Sequence, residues 1–178
     1  MKQYPVRFLI PLCLFLIIGG FLWKGLDLNP AELPSIFIGK SAPAFSLPTV
    51  EYPEKMITES IFKNQVSLLH IWSTWCTSCQ KEHAKLIDRS KKHALSIIGV
   101  NYYDDLNNAQ EWLKTKGNPY QITIFDQQGR LGMDYGVYGT PETFIIDKSG
   151  IIRYRHVGPV DDALWQEEIL PKINKLRE

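Results

Sequence analysis

From Phe8 to Trp23 the chain reads FLIPLCLFLIIGGFLW, 16 residues without a charge. At about 1.5 Å rise per residue such a helix falls slightly short of a hydrocarbon core roughly 30 Å thick. Arg7 and Lys24 can snorkel from its ends, and Trp23 suits the interface. The run predicts an N-terminal transmembrane helix. Lys2 and Arg7 precede it, while Lys24, Asp27 and Glu32 follow, which favours a cytoplasmic N-terminus with the rest of the chain beyond the membrane. Gly19-Gly20 supplies small residues, but no A-x-A pattern follows the run, so an uncleaved anchor is preferred to a cleaved signal peptide. Cys13 reads as apolar filler, since Leu12 is too bulky to precede a lipidated cysteine.

Beyond the anchor the periodicity changes. Pro30, Pro34 and Pro43 stand among few periodic apolar positions, so the organisation is an anchor over 1–25, a tether over 26–37 and a domain over 38–178. Ala44 to Leu47 alternates as a strand, and Tyr52 to Ile57 is its hairpin partner. Val66 to Ser73 is nearly continuously apolar, as in a central strand covered on both faces. Ala84, Leu86 and Ile87 then sit among charges as on an amphipathic helix. Leu95 to Asn101 reads as another buried strand. Asp104-Asp105 caps a helix carrying Ala109, Trp112 and Leu113, which stops near Gly117. Ile122 to Asp126 is a further strand, and Glu142 to Asp147 and Ile151 to Val157 form a hairpin across Lys148-Ser149-Gly150. Asp161-Asp162 opens a last helix. Alternating strands and helices followed by a hairpin predict an α/β fold with a central mixed sheet flanked by helices.

Composition adds little: 44% hydrophobic and 22% charged residues argue against disorder, and a net charge of +1 gives no basic footprint for nucleic acid. No residue pattern calls for a bound cofactor.

The chemistry lies in Trp75-Cys76-Thr77-Ser78-Cys79, between the central strand and the helix after it. Two intervening residues let both sulfurs meet across one helical turn. Cys76 stands where unpaired backbone N–H groups and the helix dipole favour a thiolate, which attacks a substrate disulfide. Cys79 then attacks Cys76 and releases the reduced substrate. Two blander readings compete. A structural disulfide closing so small a loop would constrain the unfolded chain weakly. A copper or zinc site from Cys76, Cys79 and His83 would lack a fourth ligand. A second element is Gly136 to Phe144, in which a cis Thr140–Pro141 bond would offer Thr140's backbone to an extended substrate, with Trp75 at the rim. Pro141 can touch Cys76 without competing for it. Arg153, Arg155 and His156 read as ordinary strand residues, the two arginines solvated.

The stretches LLHIWSTWCTSCQKEH, GVYGTPETFIID and IIRYRHVG resemble the CcmG/DsbE family of thioredoxin-fold cytochrome c biogenesis proteins, from about residue 38 to the end. The resemblance implies a thioredoxin-like fold and an enzyme that acts as a reductant in an oxidising compartment. Such a protein sits in the inner membrane as a single-pass protein with its catalytic domain in the periplasm. Its substrate would be apocytochrome c or a thiol relay protein, and its electron donor a membrane transporter of the DsbD or CcdA type. By position, Cys76 is the nucleophile, Cys79 the resolving thiol and Pro141 the cis-proline, while Glu82 and Glu142 match the family's acidic groups. Nearby carboxylates disfavour a thiolate, although Glu82 could equally serve as a helix-dipole partner and Glu142 as a rim charge. Two departures stand out. Thr77 replaces the family's frequent proline, and His70 occupies a position where an asparagine is common. A buried neutral histidine there could accept the proton of Cys79, or be an inert core residue. A general reductase of the ResA or TlpA type, a copper chaperone and an inert docking module remain the alternatives.

Overall fold

The computed structural model describes residues 6–26 and 37–178. The chain divides into two units, Met1–Leu33 and Pro34–Glu178, and the second carries the sheet. Its centre is β3, Ser67–Trp72, in which all six residues are buried. Parallel β4 (Ser96–Tyr102) and β5 (Ile122–Asp126) extend the sheet on one side of β3, and antiparallel β6 (Glu142–Ile146) and β7 (Ile152–Val157) on the other. The order is β5-β4-β3-β6-β7. The expected mixed sheet is present, including the terminal hairpin. A separate small ribbon pairs β1 (Ser46–Pro48) with β2 (Met56–Thr58), which shortens both strands of the predicted first hairpin.

Because side chains alternate along a strand, β3 feeds two cores. Leu69 and Ile71 join Ile98, Val100, Ile124, Phe144 and Ile146 on one face. Leu68 and Trp72 join Cys76, Cys79, Leu86, Ile97 and Ile145 on the other. His70 shares that second face by parity, which places it under the helix that follows.

That helix is α2, Thr77–His93. Its buried residues Cys79, Glu82, His83, Leu86 and Arg89 recur at helical spacing and form one stripe. Lys91, Lys92 and His93 crowd its last turn, where cations suit the dipole, and Ala94 closes it in the left-handed region at φ 46°. Helix α3, Leu106–Lys116, starts at Asp105, whose side chain accepts the Asn108 amide. Helix α4, Arg130–Asp134, has only five residues, too few for periodicity to reveal it. The last helix is broken into α5 (Asp162–Leu164), a widened π turn (Trp165–Ile169) and α6 (Leu170–Arg177). Pro171 has no N–H to give the carbonyl four residues back, and the wide turn lies directly before it. Together these elements make the thioredoxin-like architecture.

The first unit contains α1, Val6–Leu26, with Pro11 inside it. The expected membrane-spanning helix is helical and its described side chains are exposed, but among the described residues no helix is long and apolar enough to cross a membrane. The tether expected over 26–37 lies, apart from its end residues, outside the described residues.

Ile71 is fully buried in the central strand. Ile71→Ala is expected to destabilise the domain by about 2–5 kcal/mol through lost burial and the residual cavity, read as a shift of the denaturation midpoint.

Candidate active site

Cys76 caps α2. Its backbone is extended (φ −82°, ψ 105°), and its sulfur lies 3.1 Å from the Cys79 amide, which donates to it. The two cysteines are joined in a disulfide with Cα atoms 5.3 Å apart. The helix therefore begins on the reactive group itself, and the Cys79 N–H, which a capping side-chain oxygen would usually satisfy, donates to sulfur. Burial does not separate the pair, since Cys76 is 5% and Cys79 4% exposed. What distinguishes them is position, Cys76 before the helix and Cys79 inside it.

The approach to Cys76 is held by a residue the sequence reading used only as a cap. Asp104 accepts the Thr74 amide at 2.5 Å and the Thr74 hydroxyl at 2.7 Å, and also the Asn101 side-chain amide at 2.9 Å. Asp105 is the helix cap, and Asp104 pins the loop before Cys76. Trp75 stands exposed, its indole N–H donating to the Tyr103 carbonyl at 2.9 Å. Tyr103 adopts a left-handed backbone at φ 48°, uncommon for a non-glycine residue. Trp72, by contrast, is core and stacks on Tyr120.

The second element arrives from β6. Ile71 pairs with Glu142, so the register sets Thr140 and Pro141 at the same end of the sheet as the loop leading into Cys76. The Thr140–Pro141 peptide is cis. Glu142, considered as a rim charge, is fully buried, and Arg155, expected to be solvated, is not. The Arg155 guanidinium, 12% exposed, donates through Nε to Glu142 at 2.8 Å and through Nη2 to the Gly136 carbonyl at 2.8 Å. It also lies over the rings of Tyr138 and Phe144. The other Glu142 oxygen accepts the Tyr138 amide at 3.4 Å. One buried ion pair thus grips the loop 136–141 at Gly136 and Tyr138. Alternation alone assigned Arg155 to solvent because it ignores what a long side chain reaches along an edge strand. Burial pushes the Glu142 carboxyl above its usual range, and Arg155 offsets part of that rise.

Beneath the disulfide lies a third cluster. Glu82 is buried, with one oxygen 2.8 Å from His70 Nε2 and the other accepting the Val160 amide at 2.9 Å. His70 Nδ1 is 2.9 Å from the Tyr120 hydroxyl. Burial raises the Tyr120 phenol well above its ordinary range, and the Glu82 charge adds to the rise, so the phenol stays protonated. Both His70 nitrogens are engaged, so of the two readings of a buried histidine here, the hydrogen-bonded core residue fits the geometry and a free acceptor for the Cys79 proton does not. Glu82 shares the buried stripe of α2 with Cys79, three positions on. His83 turns elsewhere: Nε2 is 2.8 Å from the Gly117 carbonyl, and Nδ1 accepts from Trp112 at 3.5 Å. Burial lowers its pKa. The copper reading loses its third ligand by this geometry, and no cluster able to hold a metal ion occurs among the described residues.

Arg155→Met leaves a buried carboxylate without its cation. It is expected to cost about 3–5 kcal/mol at neutral pH. The folded Glu142 carboxyl is raised, so it takes up a proton first as pH falls, and the penalty should shrink toward acidic pH. Denaturation of wild type and variant across pH 4–8 (roughly the window for a raised carboxyl) checks this sign.

Comparisons place this geometry among known proteins. Residues 37–170 match the redoxin family model. The chain is 48% identical over 168 residues to the thiol:disulfide interchange protein DsbE of Pseudomonas aeruginosa, covering 94% of this chain and 93% of that one. It is 44% identical over 173 residues to DsbE of Allochromatium vinosum, covering 97% and 96%. The Escherichia coli K12 DsbE is 42% identical over 173 residues, with 94% and 93% covered. Among solved structures, a thiol:disulfide interchange protein of the thioredoxin family from Chlorobium tepidum superimposes with a TM-score of 0.63 at 25% identity, covering 78% of this chain and 96% of that one. A secreted thiol-disulfide isomerase from Corynebacterium glutamicum shares the fold, with a TM-score of 0.67 at 22% identity over 83% and 96%. With Cys76 and Cys79 paired at the head of α2, the chain belongs to the redoxin family and, within it, to the DsbE thiol:disulfide interchange proteins.

Proposed function

We propose that this thiol–disulfide oxidoreductase works as a membrane-tethered reductant at the periplasmic face. It passes electrons from a membrane thiol donor of the DsbD or CcdA type to the disulfide of apocytochrome c or of a thiol relay protein during cytochrome c maturation. The observation that carries the direction is the buried Glu82 carboxylate on the same helix stripe as Cys79. A nearby negative charge disfavours a thiolate, and a couple whose thiolates are poorly stabilised gives up its electrons more readily. Helix α1 serves as the membrane anchor, with Trp23 and Lys24 at the interface end of its uncharged run.

The exchange runs in two displacements. Cys76 thiolate attacks one sulfur of the substrate disulfide, forming the Cys76–substrate bond and expelling the first substrate thiolate. Glu82 takes the proton of Cys79. The Cys79 sulfur then attacks Cys76, the Cys76–Cys79 bond forms, and the second substrate thiolate leaves. Two electrons pass from protein to substrate, whose two thiolates take their protons from solvent while the Cys79 proton stays on Glu82, and the oxidised state seen here is the product. Trp75, Thr140 and cis-Pro141 form the docking rim for an extended segment, with Glu142 behind them holding the loop. A broader reductase of the ResA or TlpA type is the second reading.

Cys79→Ala removes the resolving thiol, so substrates should accumulate as mixed disulfides on Cys76, visible by non-reducing electrophoresis and mass spectrometry. Recovery of apocytochrome c or a relay protein among the adducts supports the dedicated role. A wide mixture of unrelated proteins favours the broader one, and no adduct at all contradicts both.

A further inference from the structure

The bonded series Tyr120–His70–Glu82–Val160 is buried along its whole length, and only its carboxylate end lies on the stripe that carries Cys79. We propose that His70 is a positioning residue for the resolving step: its hydrogen bond holds the Glu82 carboxylate aimed so that it can take the Cys79 proton. The inference rests on the reading of Glu82 as that proton's acceptor.

The protons can be assigned by elimination. The Tyr120 phenol keeps its proton, being buried beside a carboxylate, and no other partner for its hydroxyl occurs among the described residues. It therefore donates to Nδ1, which makes Nδ1 an acceptor and leaves the single imidazole proton on Nε2, 2.8 Å from Glu82 Oε1. The Val160 amide donates to Oε2 at 2.9 Å. Each carboxylate oxygen has two lone pairs, so these two bonds fix the plane of the group and still leave sites free for a proton. When Cys79 gives up its proton, Glu82 receives it at one of those free sites without breaking either bond. When the disulfide is reduced again, the same proton returns to Cys79, so the step balances.

The stacking of Tyr120 on both His70 and Trp72, at 19° in each case, keeps the imidazole from turning. The groups that face His70 are Glu82 and His83 from α2 and Tyr120 from the segment before β5. Of these, His83 is spent on the Gly117 carbonyl. An asparagine at position 70 would be shorter and would not carry its N–H donor as far toward Glu82, so the device depends on the reach of the side chain at that position.

The test follows the second step alone. Reduced full-length protein in detergent micelles is mixed with dithiobis(nitrobenzoate), which releases one thionitrobenzoate as Cys76 is captured and a second as Cys79 displaces the adduct. The rate of the second release is recorded against pH. In His70→Leu the midpoint of this profile should move up by about one pH unit, making the step roughly tenfold slower below it. His70→Gln, which restores an N–H donor at similar reach, should move back toward wild type. Tyr120→Phe, which keeps the ring and removes the hydroxyl, should shift the midpoint in the same direction by less. A wild-type profile in folded His70→Leu, or an equal shift in His70→Gln, overturns the proposal. If His70→Leu does not fold, an unshifted Tyr120→Phe overturns it. Glu82→Gln separates the two levels. If it leaves the profile unchanged, the reading of Glu82 itself fails. If it abolishes the pH dependence while His70→Leu changes nothing, only the role of His70 fails.

Discussion

One turn of helix sets the terms for everything else in this molecule. α2 begins on Cys76, and the sulfur stands where a capping oxygen would ordinarily receive the Cys79 amide. The reactive atom is thereby tied to the helix dipole and to its partner sulfur at once. That turn is in place only because β3, buried over its full length, delivers the chain to the sheet's end. There Asp104 holds Thr74 from one side, and the register of β3 with β6 brings Pro141 from the other.

Two buried acids surround this turn, and they are compensated differently. Glu142 is neutralised by a full cation, Arg155, and its task is mechanical, holding the loop that carries Tyr138, Thr140 and Pro141. Glu82 meets a histidine and a backbone amide, which orient it without removing its capacity for a proton. The contrast fits the proposed division of labour, in which one carboxylate shapes the surface that meets substrate and the other serves the resolving cysteine. The helix dipole favours a thiolate at Cys76, and the carboxylate opposes one at Cys79. A reductant needs both, a nucleophile that starts the exchange and a resolving thiol that does not hold charge for long.

The sheet was legible because each strand announced itself by a short apolar run bounded by turn residues, and β5 was read to the residue. Cys76, Cys79 and Pro141 were legible because their signals are local, a spacing and a turn. The remaining parts of the site depend on contacts between distant segments. His70 is 50 positions from Tyr120, and Thr74 is 30 from Asp104. Arg155 shares a strand face with the exposed Arg153, so parity sent it to solvent, yet its length lets it fold back onto Glu142. Likewise α4 has too few residues for a period to register, and the π turn needed knowledge of where Pro171 falls in the last helix.

The direction of electron flow is the central claim, and the reduction potential of the Cys76–Cys79 couple measures it. Full-length protein would be equilibrated with glutathione redox buffers and its thiols quantified after acid quenching. A reductant shaped by buried carboxylates should equilibrate below about −200 mV. A couple near about −120 mV, at the strongly oxidising end of known dithiol proteins, would contradict that direction and make the molecule a donor of disulfides.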